Sequence, residues 1–314
     1  MKNLITGVAG FIGSSLADSL LDKGHKVVGI DCFTDYYPKE VKMANLAKAL
    51  KNDNFTLIAK DMLDIDLASL LENVEYVFHE AAQPGVRKSW GRDFNIYVKN
   101  NILATQHLLE AAKDMPLKKL VFASSSSVYG NVEIPTREST LPKPISPYGV
   151  SKLAAENLCS LYYHNYKMPM AALRYFTVYG PRQRPDMAFN KFIRKISRGE
   201  EITIYGKGDQ SRDFTYIDDV VNSNILAAYS DSVGEVFNIG GGSRITINDA
   251  IKKIECLLNK DAKVRYEETQ RGDVMDTSSD ITKARKILGY VPSVEITEGL
   301  RREIDWLRVS DRLK

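Results

Sequence analysis

Lys2-Asn3-Leu4-Ile5-Thr6, running directly into Gly7-Val8-Ala9-Gly10-Phe11-Ile12-Gly13, is the stretch on which the fold of this chain turns. A short apolar strand meets three glycines spaced GxxGxxG, and a helix is predicted to follow over Ser14–Lys23. Glycine is needed where backbone must approach a bound group closely and where a helix packs tightly on a strand. The helix start also offers unpaired N–H groups, which suit phosphate. By itself the loop could be no more than a tight strand–helix turn. Asp31 adds a second point. It ends the next predicted strand, Lys26–Ile30, 18 residues beyond Gly13. An acid there accepts hydrogen bonds from ribose hydroxyls. It repels a 2′-phosphate, and neighbouring Cys32 and Phe33 supply no cation to hold one. The expected ligand is therefore NAD rather than NADP, held by Gly7, Gly10, Phe11, Ile12, Gly13 and Asp31. Asp61 and Met62 end the third strand and are placed beside the adenine.

Outward from this unit, short apolar runs alternate with amphipathic stretches, the pattern of a parallel sheet wound with helices. Further strands are predicted at Phe55–Lys60, Tyr76–His79, Lys119–Ala123 and Met170–Tyr175, with helices at Asn100–Lys113 and Tyr148–Asn165. This is an α/β chain, a Rossmann-type doubly wound parallel sheet over residues 1–175. After Phe176 the rhythm loosens into strands Glu201–Tyr205 and Glu235–Ile239 and helices Asp219–Ser230 and Ile247–Leu258. That predicts a smaller C-terminal α/β substrate lobe over 176–314, with a segment near 213–240 returning to the first domain. No Pro/Gly linker separates the two.

The 314 residues are 44% hydrophobic and 26% charged, an ordinary globular balance. A net charge of +3 is too small to argue for nucleic acid. Three cysteines (Cys32, Cys159, Cys256) and four histidines are scattered without ligand spacing, so neither a disulfide framework nor a metal site is expected. A reducing cytoplasm is the default location, and no signal peptide or membrane anchor is expected.

Ser146-Pro147-Tyr148-Gly149-Val150-Ser151-Lys152 reads as a helix start, with serine as N-cap and proline in the first turn. Tyr148 and Lys152 stand at i and i+4 and share one face. A tyrosine with a pKa of about 10 is a poor base at neutral pH. A neighbouring ammonium, a helix N-terminus and a positive nicotinamide would each stabilise its phenolate. Upstream, Ser124-Ser125-Ser126-Ser127 follow a predicted strand, where ligands bind in open α/β sheets. A hydroxyl there can hold a sugar hydroxyl and relay its proton.

Together these motifs resemble the extended short-chain dehydrogenase/reductase family, over essentially the whole chain. His79-Glu80-Ala81-Ala82, Asn100, Leu173-Arg174-Tyr175-Phe176 and Asp209-Gln210-Ser211-Arg212-Asp213-Phe214 add to the likeness. The resemblance implies a catalytic triad of Ser125, Tyr148 and Lys152, with Ala81, Ala82 and Asn100 joining the cofactor site. It also implies an opening step in which a sugar 4-hydroxyl loses its proton and C4 its hydride. Dehydratases of the family carry Asp-Glu where this chain has Ser126-Ser127, and the decarboxylases usually carry Glu at Ser127. A serine is too weak an acid to replace them. Epimerisation needs no such residue.

Pro84-Gly85-Val86-Arg87-Lys88-Ser89-Trp90 and the stretch Phe176–Ala188 are similar to UDP-glucuronate 4-epimerases. Where Thr177 stands, UDP-glucose 4-epimerases usually have Asn. The resemblance makes Thr177 and Arg184, with Ser125, Ser126 and Ser127, the cradle for a C6 carboxylate, since a guanidinium fork suits a carboxylate. A diphosphate contact is the other reading of Arg184. Arg212 and Arg271 are expected on the diphosphate, Arg87 on sugar or phosphate, and Phe189 or Tyr205 against uracil. The family also implies a homodimer through the helices Asn100–Lys113 and Tyr148–Asn165, where Leu103, Leu153, Leu158, Leu161 and Tyr162 offer apolar surface. A UDP-glucose or UDP-N-acetylglucosamine 4-epimerase, a dehydratase or decarboxylase, and a catalytically idle NAD-binding scaffold stay open at this point.

Overall fold

Strand β1 (Lys2–Thr6) is buried along nearly its whole length, as a parallel strand covered on both faces must be. The computed structural model describes residues 1–242 and 244–310. In chain order β1 leads to α1 (Phe11–Asp22), β2 (Lys26–Ile30), α2 (Lys39–Asn45), β3 (Phe55–Ile58), α3 (Leu67–Leu71) and β4 (Tyr76–His79). Next come α4 (Phe94–Tyr97), α5 (Ala104–Ala112), β5 (Lys119–Ser125), α6 (Pro147–Tyr166) and β6 (Met170–Tyr175). The rest runs β7 (Thr177–Tyr179), α7 (Ala188–Ser197), β8 (Glu201–Tyr205), β9 (Ser211–Tyr216), α8 (Ile217–Tyr229) and β10 (Glu235–Ile239). It closes with β11 (Arg244–Thr246), α9 (Ile247–Leu258), β12 (Lys263–Glu267), α10 (Thr282–Leu288) and α11 (Ile296–Val309).

Seven parallel strands form the main sheet in the order β10-β6-β5-β4-β1-β2-β3. The chain winds one way from β1 to β3, then returns to place β4 on the other side of β1. That reversal opens a crevice at the carboxyl ends of β1 and β4, where open α/β sheets bind ligands. Two apolar cores flank the sheet, one built around Ile5, Leu16 and Phe78, the other around Leu4, Leu108 and Phe122. Within the stretch near 213–240, β9 joins a separate small sheet with β11 and β7, while β10 pairs with β6 at the main sheet's edge. β8 and β12 form a third, two-stranded sheet.

Two predicted elements differ in detail. Strand β5 continues through Ser125, so the first two serines are strand residues rather than loop. The helix predicted over Asn100–Lys113 is part of a longer run, in which a π-helical turn at Val98–Leu103 separates α4 from α5. A π turn inserts one extra residue into the helix, often at functional sites. Of the five apolar residues assigned to a helix-paired surface, Leu103 and Leu161 are about half exposed (51% and 52%). Tyr162 is instead 5% exposed and packs in the core. Leu153 and Leu158 are half-buried against the interior.

The strand that carries the serines is anchored by an ion pair in the interior. Arg174 on β6 reaches Glu156 on α6 through Nε at 3.0 Å and Nη2 at 2.5 Å, and both side chains are 6% exposed. Ser124 Oγ donates to the same carboxylate at 2.5 Å, and Arg174 Nη1 donates to the Tyr129 hydroxyl at 2.8 Å. The group is satisfied as a whole and costly to break in part. Arg174→Met should lower stability by about 3–5 kcal/mol by urea denaturation, because Glu156 is left charged and alone. A loss below about 1 kcal/mol would mean that the pair contributes no such constraint.

Candidate active site

Gly7 adopts φ +70, and a Cβ on it would lie 2.7 Å from the backbone nitrogen of Ala81. Only glycine lets the first loop press so closely on the chain leaving β4. A Cβ on Gly13 would lie 2.3 Å from the Gly7 carbonyl, so α1 closes directly over the loop. The loop is held from the far side by Asp31, whose Oδ2 accepts from Ala9 N at 3.0 Å and whose Oδ1 accepts from Phe33 N at 2.8 Å. Asp61 caps the turn after β3, accepting from Leu63 N at 3.0 Å, and pairs with Lys99 at 2.8 Å.

One cleft collects Gly7, Gly10, Phe11, Ile12, Gly13, Asp31, Asp61, Met62, Ala81, Ala82, Asn100, Tyr148 and Lys152. These are the residues predicted for the cofactor. An extended groove floored by bare glycine backbone, with acids at two strand ends, fits a dinucleotide such as NAD. One surrounding was missed. Lys42, buried on α2, brings its Nζ to 3.9 Å from Asp31 and donates to the Thr34 carbonyl at 2.9 Å. The acid therefore has a cation beside it, supplied by the helix beyond the loop rather than by Cys32 or Phe33.

The reacting end lies where β5, α6 and the chain after β4 converge. Ser146 caps α6, accepting from Gly149 N at 3.1 Å, which places Tyr148 and Lys152 facing the cleft. Burial raises the Tyr148 phenol above its ordinary value, while a hydrogen bond with Ser125 and the charge of Arg184 pull it down. Burial lowers the Lys152 ammonium to about 8, and the negative charge of Glu80 works against that fall. The lowering of the tyrosine expected from the sequence is thus absent from the protein side chains alone. Desolvation outweighs the nearby positive charge. Ser126 and Ser127 form the turn after β5, where Ser125 Oγ accepts from Ser127 N at 3.1 Å.

Asn100 lines the cleft, but its neighbour Asn101 holds the architecture. It accepts from Gln83 N at 2.6 Å and donates to Gln83 O at 3.1 Å and to Ser151 Oγ at 2.8 Å. His79 is equally structural, bonded to Thr6 at 2.7 Å and Thr105 at 2.9 Å and held neutral by burial, which lowers it to about 3.

The residues assigned to substrate fall into three groups. Arg184 lines the cleft near Tyr148, yet its fork is closed on Asp186 at 2.9 and 3.0 Å, and Tyr36 donates to the same carboxylate at 3.3 Å. Thr177 starts β7, opposite Phe214. Arg87 and Tyr205 come together farther out, with the guanidinium 4.3 Å over the ring and 2.7 Å from Asp273. Arg212 stands near that pair and donates to the carbonyls of Val274 at 2.7 Å and Met275 at 2.9 Å. Arg271 is exposed in the same loop as Asp273. Phe189 requires a correction. It is 1% exposed and stacks on Phe214 at 4.3 Å, so its ring serves the core between α7 and β9 rather than a base. Asn101, Glu80, Tyr36 and Asp186 had no signal beyond lying in or beside recognisable motifs.

The model of the NAD dependent epimerase/dehydratase family matches residues 3–240. The chain belongs to this family. It is 41% identical to a UDP-glucuronate 4-epimerase of Thermodesulfobacterium geofontis, over 96% of this chain and 95% of that one. It is 45% identical to an uncharacterized UDP-glucose epimerase of Bacillus subtilis, over 98% of both. The UDP-glucuronic acid 4-epimerase of Bacillus cereus, solved with UDP-glucuronic acid and NAD, superposes with a TM-score of 0.97 at 45% identity. That match covers 99% of this chain and all of the other.

Tyr148 lines the cleft with Lys152 and is hydrogen-bonded to Ser125, so its replacement tests whether it acts in proton transfer. Tyr148→Phe should cut turnover by roughly a hundred- to ten-thousand-fold, leaving the melting temperature and NAD affinity close to wild type. Near-normal turnover would put the base elsewhere.

Proposed function

We propose that the protein interconverts C4 epimers of a UDP-sugar, with UDP-glucuronate and UDP-galacturonate as the preferred pair. The observation that carries this reading is the composition of the reacting end. Tyr148 and Lys152 line the cleft, Ser125 is hydrogen-bonded to Tyr148, and the turn after β5 has hydroxyls at Ser126 and Ser127. Carboxylates there would suit elimination or decarboxylation. In the proposed reaction Tyr148 takes the 4-hydroxyl proton, Ser125 holds that oxygen, and Lys152 steadies the phenolate. NAD, when bound, supplies a reversible hydride acceptor for the same carbon. Inversion requires only that the resulting ketone turn its other face and regain proton and hydride. Arg87, Tyr205 and Arg212 are read as the outer, phosphate and uridine end of the groove, with Arg271 at its rim.

Arg184 and Thr177 are read as the selectors of a uronate. Asp186 supports a second reading, because it already neutralises the Arg184 fork. A neutral UDP-hexose would leave that pair in place, whereas a uronate must share or take over the guanidinium. A charge-assisted contact is worth on the order of 1.5–3 kcal/mol. Arg184→Ala should therefore lower kcat/KM for UDP-glucuronate by roughly ten- to a hundred-fold, with much less effect on UDP-glucose. Product separation after incubation of each UDP-sugar with enzyme gives the measurement. An equal loss on every substrate would assign Arg184 to phosphate and favour the neutral-sugar epimerase.

We also read the protein as a cytoplasmic homodimer. Ile96, Leu103, Val150 and Leu161 are 45–52% exposed on or beside the joined helices α4, α5 and α6. No described helix is long and apolar enough to cross a membrane, and the three cysteines are free. Light scattering at micromolar concentration should give twice the chain mass, and Leu103→Glu with Leu161→Glu should give the monomer. A monomeric wild type would remove the dimer from this reading.

A further inference from the structure

One ionisable group at the cleft has no part in the reaction as described above. Glu80 is the first residue after β4 and lines the cleft with Tyr148, Lys152 and Tyr175. The Tyr175 hydroxyl, on β6, donates to its Oε1 at 3.0 Å. That hydroxyl in turn accepts from Asn224 Nδ2 on α8 at 2.8 Å, so the donor is fixed from behind. The Glu80 backbone is fixed as well, because it lies under Gly7 and between the buried His79 and the Gln83–Asn101 knot. A carboxylate held this way is a placed charge rather than a mobile surface acid.

Its one cationic neighbour of consequence is Lys152. Lys152 is 3% exposed, its ammonium lies 4.4 Å over the Phe122 ring, and it forms no ion pair among the described residues. Glu156 acts on it from its own helix, more weakly than Glu80 does from the chain after β4, and the buried Cys159 is a neutral thiol. Glu156 is moreover already paired with Arg174. The groups that face Glu80 are Tyr175 from β6 and Lys152 from α6, and no other charge contributes to its titration. His79 beside it is neutral.

We propose that Glu80 is a positioning residue for the proton-transfer set: its fixed carboxylate keeps Lys152 cationic, and this sets the upper pH limit at which Tyr148 works. The electrostatics agree in sign. Burial raises the Glu80 carboxyl to about 7 and lowers the Lys152 ammonium to about 8. The charge of each opposes the neutralisation of the other, so the anion and the cation favour each other. Above about 8 Lys152 loses its proton, and without Glu80 it loses it sooner. The phenolate of Tyr148 then loses the counter-charge of Lys152, so the alkaline limb of activity moves to lower pH.

This rests on the epimerase reading for its kinetic half and stands without it for its titration half. The experiment is Glu80→Gln in full-length enzyme with 13Cε-lysine labelling, the Lys152 signal being assigned by its loss in Lys152→Met. Its NMR midpoint should fall by about one pH unit. The alkaline limb of kcat on UDP-glucuronate should fall with it, KM should change little, and Glu80→Asp should recover part of both shifts. If Glu80→Gln does not fold, Tyr175→Phe, which removes the donor to Glu80 together with a partner of Asn224, should move the midpoint the same way by a smaller amount. A folded variant with an unchanged Lys152 midpoint, or a shifted midpoint with an unchanged limb, overturns the proposal. A shifted midpoint in a protein that turns over no UDP-sugar supports the Glu80–Lys152 link and overturns the epimerase reading instead.

Discussion

The backbone that leaves β4 is gripped from two sides, and the whole cleft depends on that grip. From one side Gly7 presses on Ala81 closer than any side chain would permit. From the other, Asn101 takes both backbone groups of Gln83 and ties them to Ser151 on α6. The first contact fixes the glycine loop against the chain after β4, and the second sets where Tyr148 and Lys152 stand relative to it. Neither is strong as a single interaction. Each removes freedom from a segment that also carries Glu80, and reacting groups must be held to within a fraction of an ångström.

Burial does as much as contact in shaping the chemistry. Tyr148 and Lys152 are pushed towards their neutral forms, and only specific partners resist. The partners come from different strands: Ser125 from β5, Glu80 from the end of β4, and Arg184 from beyond β7. The sheet therefore serves as a rack on which opposing influences on two side chains are mounted independently. A change in one partner can retune the pair without moving it.

Much of this was legible in the residues alone. Strand–glycine–helix order, an acid ending β2, hydroxyls ending β5 and YxxxK at a helix start each obey local rules, and their residues line one cleft, with Ser125 joined to it through Tyr148. Phe189 shows the limit of such rules. On a helix, an aromatic that faces a ligand and one that faces the core have the same spacing, and only the position of β9 separates them. Lys42 shows another, since its approach to Asp31 depends on how α2 turns back after the loop. Asp186 was in plain view beside Arg184, yet nothing in the string says that two residues so close will close on each other rather than on a ligand. Local chemistry was readable, while pairings that need two elements to arrive at one place were not.

The π turn at Val98–Leu103 carries a consequence for how this chain can vary in length. One surplus residue there lets Asn100 and Asn101 face the cleft and the knot while α5 keeps its apolar side on the sheet. Deleting a residue from this turn would convert it to regular α-helix, leaving one position fewer to carry the asparagines above the sheet. Leu108 and Leu109 would keep their buried places, and Asn100 and Asn101 could not both keep theirs. Insertions and deletions can accumulate in the exposed loops of this protein, but at this turn the count of residues is itself a functional character.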